Sequence, residues 1–266
     1  MREKIVELLK NVEKEQNITV LFAVENGSRA WGMSSKDSDY DVRFVFCRPL
    51  AEYIKLDKPE EVITLAYDEN FHPHEVKGSL LDMCGFDIFK YLKLLSTSNP
   101  TAIEWLNSPI VYLGSTDIEL KEYINKNFSQ EKLFYHYFSL FKNNYNLNIK
   151  EEKEITYKKY LYSMRGLLNA KYVCEFDEIP PLKMVETVAD LSALLPQDVI
   201  TKLNEVIAIK SAGAEKEKVL HIPLFDEFFK QELAKPYPQF NKRKRDMAPF
   251  DTYLQSCLGV KGYKKC

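Results

Sequence analysis

A Gly27-Ser28 pair stands twelve positions ahead of Asp39, and Asp39-Tyr40-Asp41 places a second carboxylate two residues further on. On a strand, residues i and i+2 share a face, so Asp39 and Asp41 are expected to converge with Tyr40 turned away. Hard divalent cations want oxygen ligands, and Mg²⁺ usually takes one or two carboxylates plus substrate phosphates. Two such ions roughly 3.5–4 Å apart stabilise both the attacking and the leaving oxygen of an in-line phosphoryl displacement. Gly27 lets the backbone approach a ligand closely. Ser28 adds a hydroxyl and an N–H, and a short helix starting there would aim further N–H groups at phosphate.

The flanking residues must position these groups. An apolar run from Ile18 to Val24 enters the Gly-Ser turn, and a second from Val42 to Cys47 leaves the acidic cluster. Both read as strands. Asp37, Asp39 and Asp41 also match loop positions one, three and five of an EF-hand, but position six is Val42 instead of glycine and position twelve is Arg48 instead of glutamate, which excludes it. A solvated acidic turn and the sugar-nucleotide DxD of glycosyltransferases are the other readings. The upstream Gly-Ser element favours nucleotidyl transfer.

The stretch Gly27-Ser28-Arg29-Ala30-Trp31-Gly32, with Asp37-Ser38-Asp39-Tyr40-Asp41-Val42-Arg43, resembles the signature of the DNA polymerase β-type nucleotidyltransferase superfamily. More narrowly it is similar to the RlaP/YcgL-like family of predicted nucleotidyltransferases, some associated with RNA-ligase repair systems. Supporting matches are Asp82-Met83-Cys84-Gly85-Phe86-Asp87, Ser98-Asn99-Pro100, Glu104-Trp105-Leu106, Ser108-Pro109-Ile110 and Lys159-Tyr160-Leu161-Tyr162-Ser163-Met164-Arg165. The resemblance implies an α+β fold: a polymerase β-like domain with a small mixed sheet, followed by an all-helical domain. It also implies a nucleoside triphosphate (ATP or another) held by Gly27, Ser28 and Arg29, Mg²⁺ or Mn²⁺ on three carboxylates, and an RNA 3′ end as acceptor. Nucleotide transfer to a protein or small molecule would use the same parts, and a silent nucleotide or RNA binder is the rival outside catalysis.

Two residues compete for the third carboxylate. Asp82 lies inside the strand-like run Ser79–Cys84, where a charge is costly unless it has a metal or a partner. Asp87 immediately precedes a helical pattern, where Asp is a favoured N-cap. Asp82 is the expected ligand beside Asp39 and Asp41, and Asp87 the expected cap. His72 and His74 flank Pro73 in a loop-like stretch with no nearby cysteine partner, and read as surface.

Downstream, Lys158, Tyr162, Arg165 and Asn169 share one face of a helix expected over 154–175. Two cations and a tyrosine suit a triphosphate. Lys159 matches the family's motif better than Lys158, so either lysine could make the contact. The run Asn241-Lys242-Arg243-Lys244-Arg245, with Lys261, Lys264 and Lys265, makes the C-terminal end locally basic and a candidate RNA contact.

The chain has 266 residues, 45% of them hydrophobic, and a net charge of −2. That supports a sizeable core and gives no whole-chain argument for nucleic acid. Cys47, Cys84, Cys174, Cys257 and Cys266 form no CxxC pair, which argues against zinc and disulfides and suits a reducing cytoplasm. Met1–Lys4 opens an amphipathic helix over 3–15, no apolar run approaches a membrane span, and no membrane partner is expected. Strands are expected at 18–25, 42–47, 62–65, 78–86 and 110–113. Helices follow Asp87 and Pro100. Four or more helical segments come after Gly114: 116–127, 130–148, 154–175 and 197–211. These divide the chain into a catalytic domain over 1–114 and a helical domain over 115–266.

Overall fold

A computed structural model describes residues 1–152, 154–214, 218–241, 243 and 245–260. The chain gathers into two compact units. One comprises Met1–Ala30, Asp39–Phe128 and the described residues from Arg243 on; the other comprises Trp31–Ser38 and Ser129–Lys242.

The first unit opens with α1 (Arg2–Gln16), whose Ile5, Leu8, Leu9 and Val12 form one buried stripe. Asn17 ends it in the left-handed conformation at φ 50°. There follow β1 (Thr19–Asn26), α2 (Gly27–Ala30), β2 (Tyr40–Cys47), α3 (Leu50–Tyr53), β3 (Val62–Tyr67), β4 (Leu81–Asp87), α4 (Ile88–Ser96), α5 (Pro100–Asn107), β5 (Val111–Gly114) and α6 (Ile118–Asn127). The fold is mixed α+β, and all five expected strands form one sheet in the order β3-β4-β2-β1-β5. β2 and β4 run parallel, and the other neighbours are antiparallel.

Alternation divides the sheet. Val42, Phe44 and Phe46 of β2 join Leu81 and Met83 of β4 in a core with the α1 stripe. The opposite face carries Asp41 and Arg43 near the start of β2, and Asp82, Cys84 and Phe86 along β4. Farther along that face Phe86 stacks on Trp105 of α5 at 4.4 Å between ring centroids. The acids thus lie at the starting ends of two parallel strands.

In the second unit, α7 (Gln130–Asn148) packs on α8 (Tyr157–Phe176). Gly166 makes this possible: a Cβ there would stand 2.8 Å from the Phe141 amide nitrogen. β6 (Ile155–Thr156), α9 (Met184–Asp190), α10 (Gln197–Ile209), β7 (Lys218–Val219) and α11 (Pro223–Ala234) complete it. The β6–β7 pair is a two-residue ribbon that the sequence pattern did not announce. The last helix, α12 (Ala248–Cys257), belongs to the first unit, where Phe250 meets Tyr123 edge to face. Among the described residues no helix is long and apolar enough to cross a membrane. The described cysteines are free thiols, and Cys266 lies outside the described residues.

Candidate active site

Parallel register sets Asp41 directly beside Asp82, on neighbouring strands of one face. Arg43, two residues along β2, reaches back between them. Its Nη2 donates to Asp41 Oδ1 at 3.0 Å and to Asp82 Oδ2 at 2.8 Å. Its Nη1 donates to the carbonyl oxygens of Val42 and Asp82, both at 3.2 Å. All three side chains are partly exposed, at 28% for Asp41, 18% for Asp82 and 15% for Arg43. A ligand can therefore reach the carboxylates without unfolding the sheet. β4 is paired on both sides, so Asp82 is not an edge residue facing water.

Gly27 closes the other side of Asp41. Its φ is +63°, a backbone that favours glycine, and a Cβ there would land on the Asp41 carboxylate. The turn and the acid are thus in contact, as the sequence spacing requires. Ser28 follows in α2 and is buried. Beneath them Glu25 is 1% exposed. Its Oε1 accepts the Asp41 amide at 2.8 Å, its Oε2 accepts the Tyr112 hydroxyl, and its carbonyl oxygen accepts Ser108 Oγ at 2.6 Å. Burial pushes the Glu25 carboxyl up, against the opposing pull of the hydrogen bonds from Tyr112 and the Asp41 amide. Burial and the Glu25 carboxylate push Tyr112 up. This underlayer fixes the Asp41 backbone from below.

Asp39 is exposed and immediately precedes β2, which opens at Tyr40, two residues ahead of the expected start at Val42. Arg29 holds this junction: its Nε donates to the Asp39 carbonyl oxygen at 3.1 Å while its guanidinium lies 3.7 Å over the Tyr40 ring. Among the described residues no three His, Cys, Asp or Glu side chains gather into a metal-holding group. The pair Asp41–Asp82 nonetheless fits a hard cation. It offers only oxygen donors, and the Arg43 guanidinium already holds positive charge against both carboxylates. Mg²⁺ bound to phosphates needs no more than two carboxylates from the protein.

Asp87 lies at the far end of β4, on the opposite face, and is 2% exposed. It caps α4, accepting the Phe89 amide at 2.9 Å, and accepts the Tyr53 hydroxyl at 2.7 Å. Burial pushes its carboxyl up. His72 and His74 are exposed in the loop before β4.

In the second unit, Lys158 Nζ lies 5.9 Å from the Tyr162 ring, Tyr162 meets Trp31 edge to face at 5.3 Å, and the Arg165 guanidinium covers Trp31 at 4.0 Å. Lys159 sits in the first turn of α8, where the Thr156 hydroxyl caps its amide at 3.4 Å. Part of this face is enclosed, since Arg165 is 7% and Asn169 2% exposed. Trp31 opens the segment Trp31–Ser38, which links the Gly-Ser turn to the acids. Within the second unit that segment is tied down by Met184, whose amide donates to the Trp31 carbonyl at 3.1 Å, and by the fully buried Lys210, whose Nζ donates to the Met33 carbonyl at 2.6 Å. Of the basic run, Arg243 donates to the Phe128 carbonyl at 3.2 Å and Arg245 to Met247 sulfur at 2.8 Å. Lys242, Lys244, Lys261, Lys264 and Lys265 lie outside the described residues.

Sequence reasoning passed over Arg43, Glu25 and Lys210. Arg43 and Glu25 carried a usable signal, being charged positions within apolar strand runs. Lys210 carried none.

Residues 1–256 match the profile of a family described as "RlaP: RNA repair pathway DNA polymerase beta family". The chain is 29% identical over 252 residues to the "Uncharacterized protein YcgL" of Bacillus subtilis, covering 93% of this chain and 92% of that protein. A solved nucleotidyltransferase-like protein from Exiguobacterium sibiricum aligns over 96% of this chain and 88% of its own, at 13% identity and a TM-score of 0.31.

Proposed function

The chain belongs to the RNA repair pathway DNA polymerase beta family, whose members are nucleotidyltransferases, and from that premise we propose that it transfers a nucleoside monophosphate from a triphosphate to an RNA 3′-hydroxyl, releasing pyrophosphate. The observation that carries the reading is the register of Asp41 with Asp82 against Gly27. It sets two carboxylates side by side next to a turn with no side chain in the way.

Asp41 and Asp82 are the proposed ligands for Mg²⁺ or Mn²⁺, with Asp39 on the adjoining turn as the third acid. When bound, the ion supplies Lewis-acid charge at the transferring phosphate and makes the acceptor hydroxyl easier to deprotonate, so no histidine base is required. Gly27, Ser28 and Arg29 are the proposed contacts to the triphosphate, and Glu25 with Tyr112 holds the Asp41 backbone in place. Lys158, Lys159 and Arg165 belong to the second unit and stay phosphate-binding candidates on residue type alone. The acceptor rests on the family's description, and the charge of the whole chain adds nothing to it.

Incubation with α-labelled triphosphates, Mg²⁺ and RNAs ending in either a 3′-hydroxyl or a 3′-phosphate tests the reading. Label is expected on the hydroxyl-ended RNA alone. Label appearing on the protein, or on an added small alcohol in place of RNA, would overturn the choice of acceptor.

A further inference from the structure

Arg43 spends four hydrogen bonds at the junction of Asp41 and Asp82. Two go to backbone carbonyls, of Val42 and Asp82, and two to the carboxylates. The division matters. The Nη1 bonds hold the guanidinium to the strands whatever the carboxylates do. The Nη2 bonds occupy Asp41 Oδ1 and Asp82 Oδ2, oxygens that an entering cation would use. Two carboxylates in register on neighbouring strands repel each other when nothing lies between them. A planar fork with fixed donors suits that gap better than a flexible ammonium.

We propose that Arg43 is a built-in counter-cation that competes with the metal for Asp41 and Asp82. It keeps the acid pair neutralised and correctly spaced in the empty site, and it must release Nη2 from both carboxylates for a divalent ion to load. A free ion therefore loads weakly. An ion that arrives with a triphosphate brings phosphate oxygens as additional ligands and loads readily, so metal binding is coupled to nucleotide binding. Arg43 acts through the ligands and is a positioning residue. The inference rests on the reading of Asp41 and Asp82 as metal ligands.

Calorimetric titration of Mn²⁺ alone into the full chain decides it. Arg43→Gln is expected to bind Mn²⁺ at least tenfold more tightly than wild type, within the roughly 5–150-fold range of coupled sites. The metal-free Arg43→Gln protein should melt below wild type and recover more of that loss on adding Mn²⁺. Arg43→Lys, which keeps the charge and loses the fork, should fall between the two and serves if Arg43→Gln does not fold. Lys10→Gln, the same charge change on α1, should leave affinity at the wild-type value. If Arg43→Gln binds no more tightly than wild type or Lys10→Gln while Asp82→Asn weakens binding, the ligands stand and the competition is wrong. If Asp82→Asn leaves binding unchanged both alone and with Arg43→Gln, the ligand reading falls and takes this inference with it.

Discussion

Asp82 and Asp87 stand near opposite ends of β4, five residues apart and therefore on opposite faces of it. Asp82 shares its face with Asp41, meets the Arg43 guanidinium at 2.8 Å and keeps part of its surface in water. Asp87 is enclosed, capping α4 and receiving the Tyr53 hydroxyl. The same side chain on the same strand thus sits in a reachable acid pair at one end and in a closed structural joint at the other. Face and partner separate the two, and residue type does not.

The largest expected difference between the two ends is catalytic. Asp82→Asn should lower nucleotidyl transfer by more than about 100-fold, the upper range for losing a mere supporting partner of a metal ligand. Its melting temperature should stay near wild type, because Asn keeps an oxygen for the Arg43 guanidinium and removes one of two neighbouring negative charges. Steady-state pyrophosphate release and a thermal melt read both. A variant that unfolds but keeps its turnover per folded molecule would reverse the roles of the two ends.

The next effect falls on stability. Asp87→Ala removes a cap and leaves the Tyr53 hydroxyl without its acceptor inside the protein, a loss of about 2 kcal/mol. Urea denaturation should show it, with turnover per folded molecule unchanged. Tyr53→Phe approaches the same joint from the other side. It removes one hydrogen bond to Asp87 and one from the Arg48 amide, and should cost about 1 kcal/mol. If Tyr53→Phe lowered activity more than stability, the joint would not be merely structural.

The smallest effect is a pH dependence. Burial raises the Asp87 carboxyl above its ordinary 3.8, more than the hydrogen bonds from Tyr53 and Phe89 lower it. A raised carboxyl favours the folded state while protonated, so its contribution is complete below 3.8 and is lost as pH climbs through the raised value. Asp87→Asn cannot ionise and still caps. Its stability relative to wild type should therefore increase from about pH 3.8 upward and level off once Asp87 is charged. A difference that stays flat with pH would contradict the burial argument.

Much of this arrangement was legible in the residues. Alternating apolar runs located all five strands, because each strand's inward positions must be apolar to meet α1. Asp87 before Ile88 read as a cap because Asp suits that position whatever the tertiary context. The rest depended on contacts between residues far apart in sequence. Nothing local reveals that Arg43 folds back onto Asp82, thirty-nine residues on, since the parallel pairing of β2 with β4 is a tertiary fact. Nor does anything local reveal that Arg29 donates to the Asp39 carbonyl oxygen at the entry to β2. On α8 the polar spacing was read as a face open to a triphosphate. Arg165 instead ends buried over the Trp31 ring, a contact between residues far apart in sequence.

Asp41 and Asp82 at the start of β2 and β4 are the proposed carriers of nucleotidyl transfer. Pyrophosphate release from a triphosphate and a 3′-hydroxyl RNA in Mg²⁺, compared across wild type, Asp82→Asn and Asp87→Asn, tests that role most directly. Wild type and Asp87→Asn should release pyrophosphate, and Asp82→Asn should lose nearly all release. Release by Asp82→Asn at the wild-type rate would contradict that role.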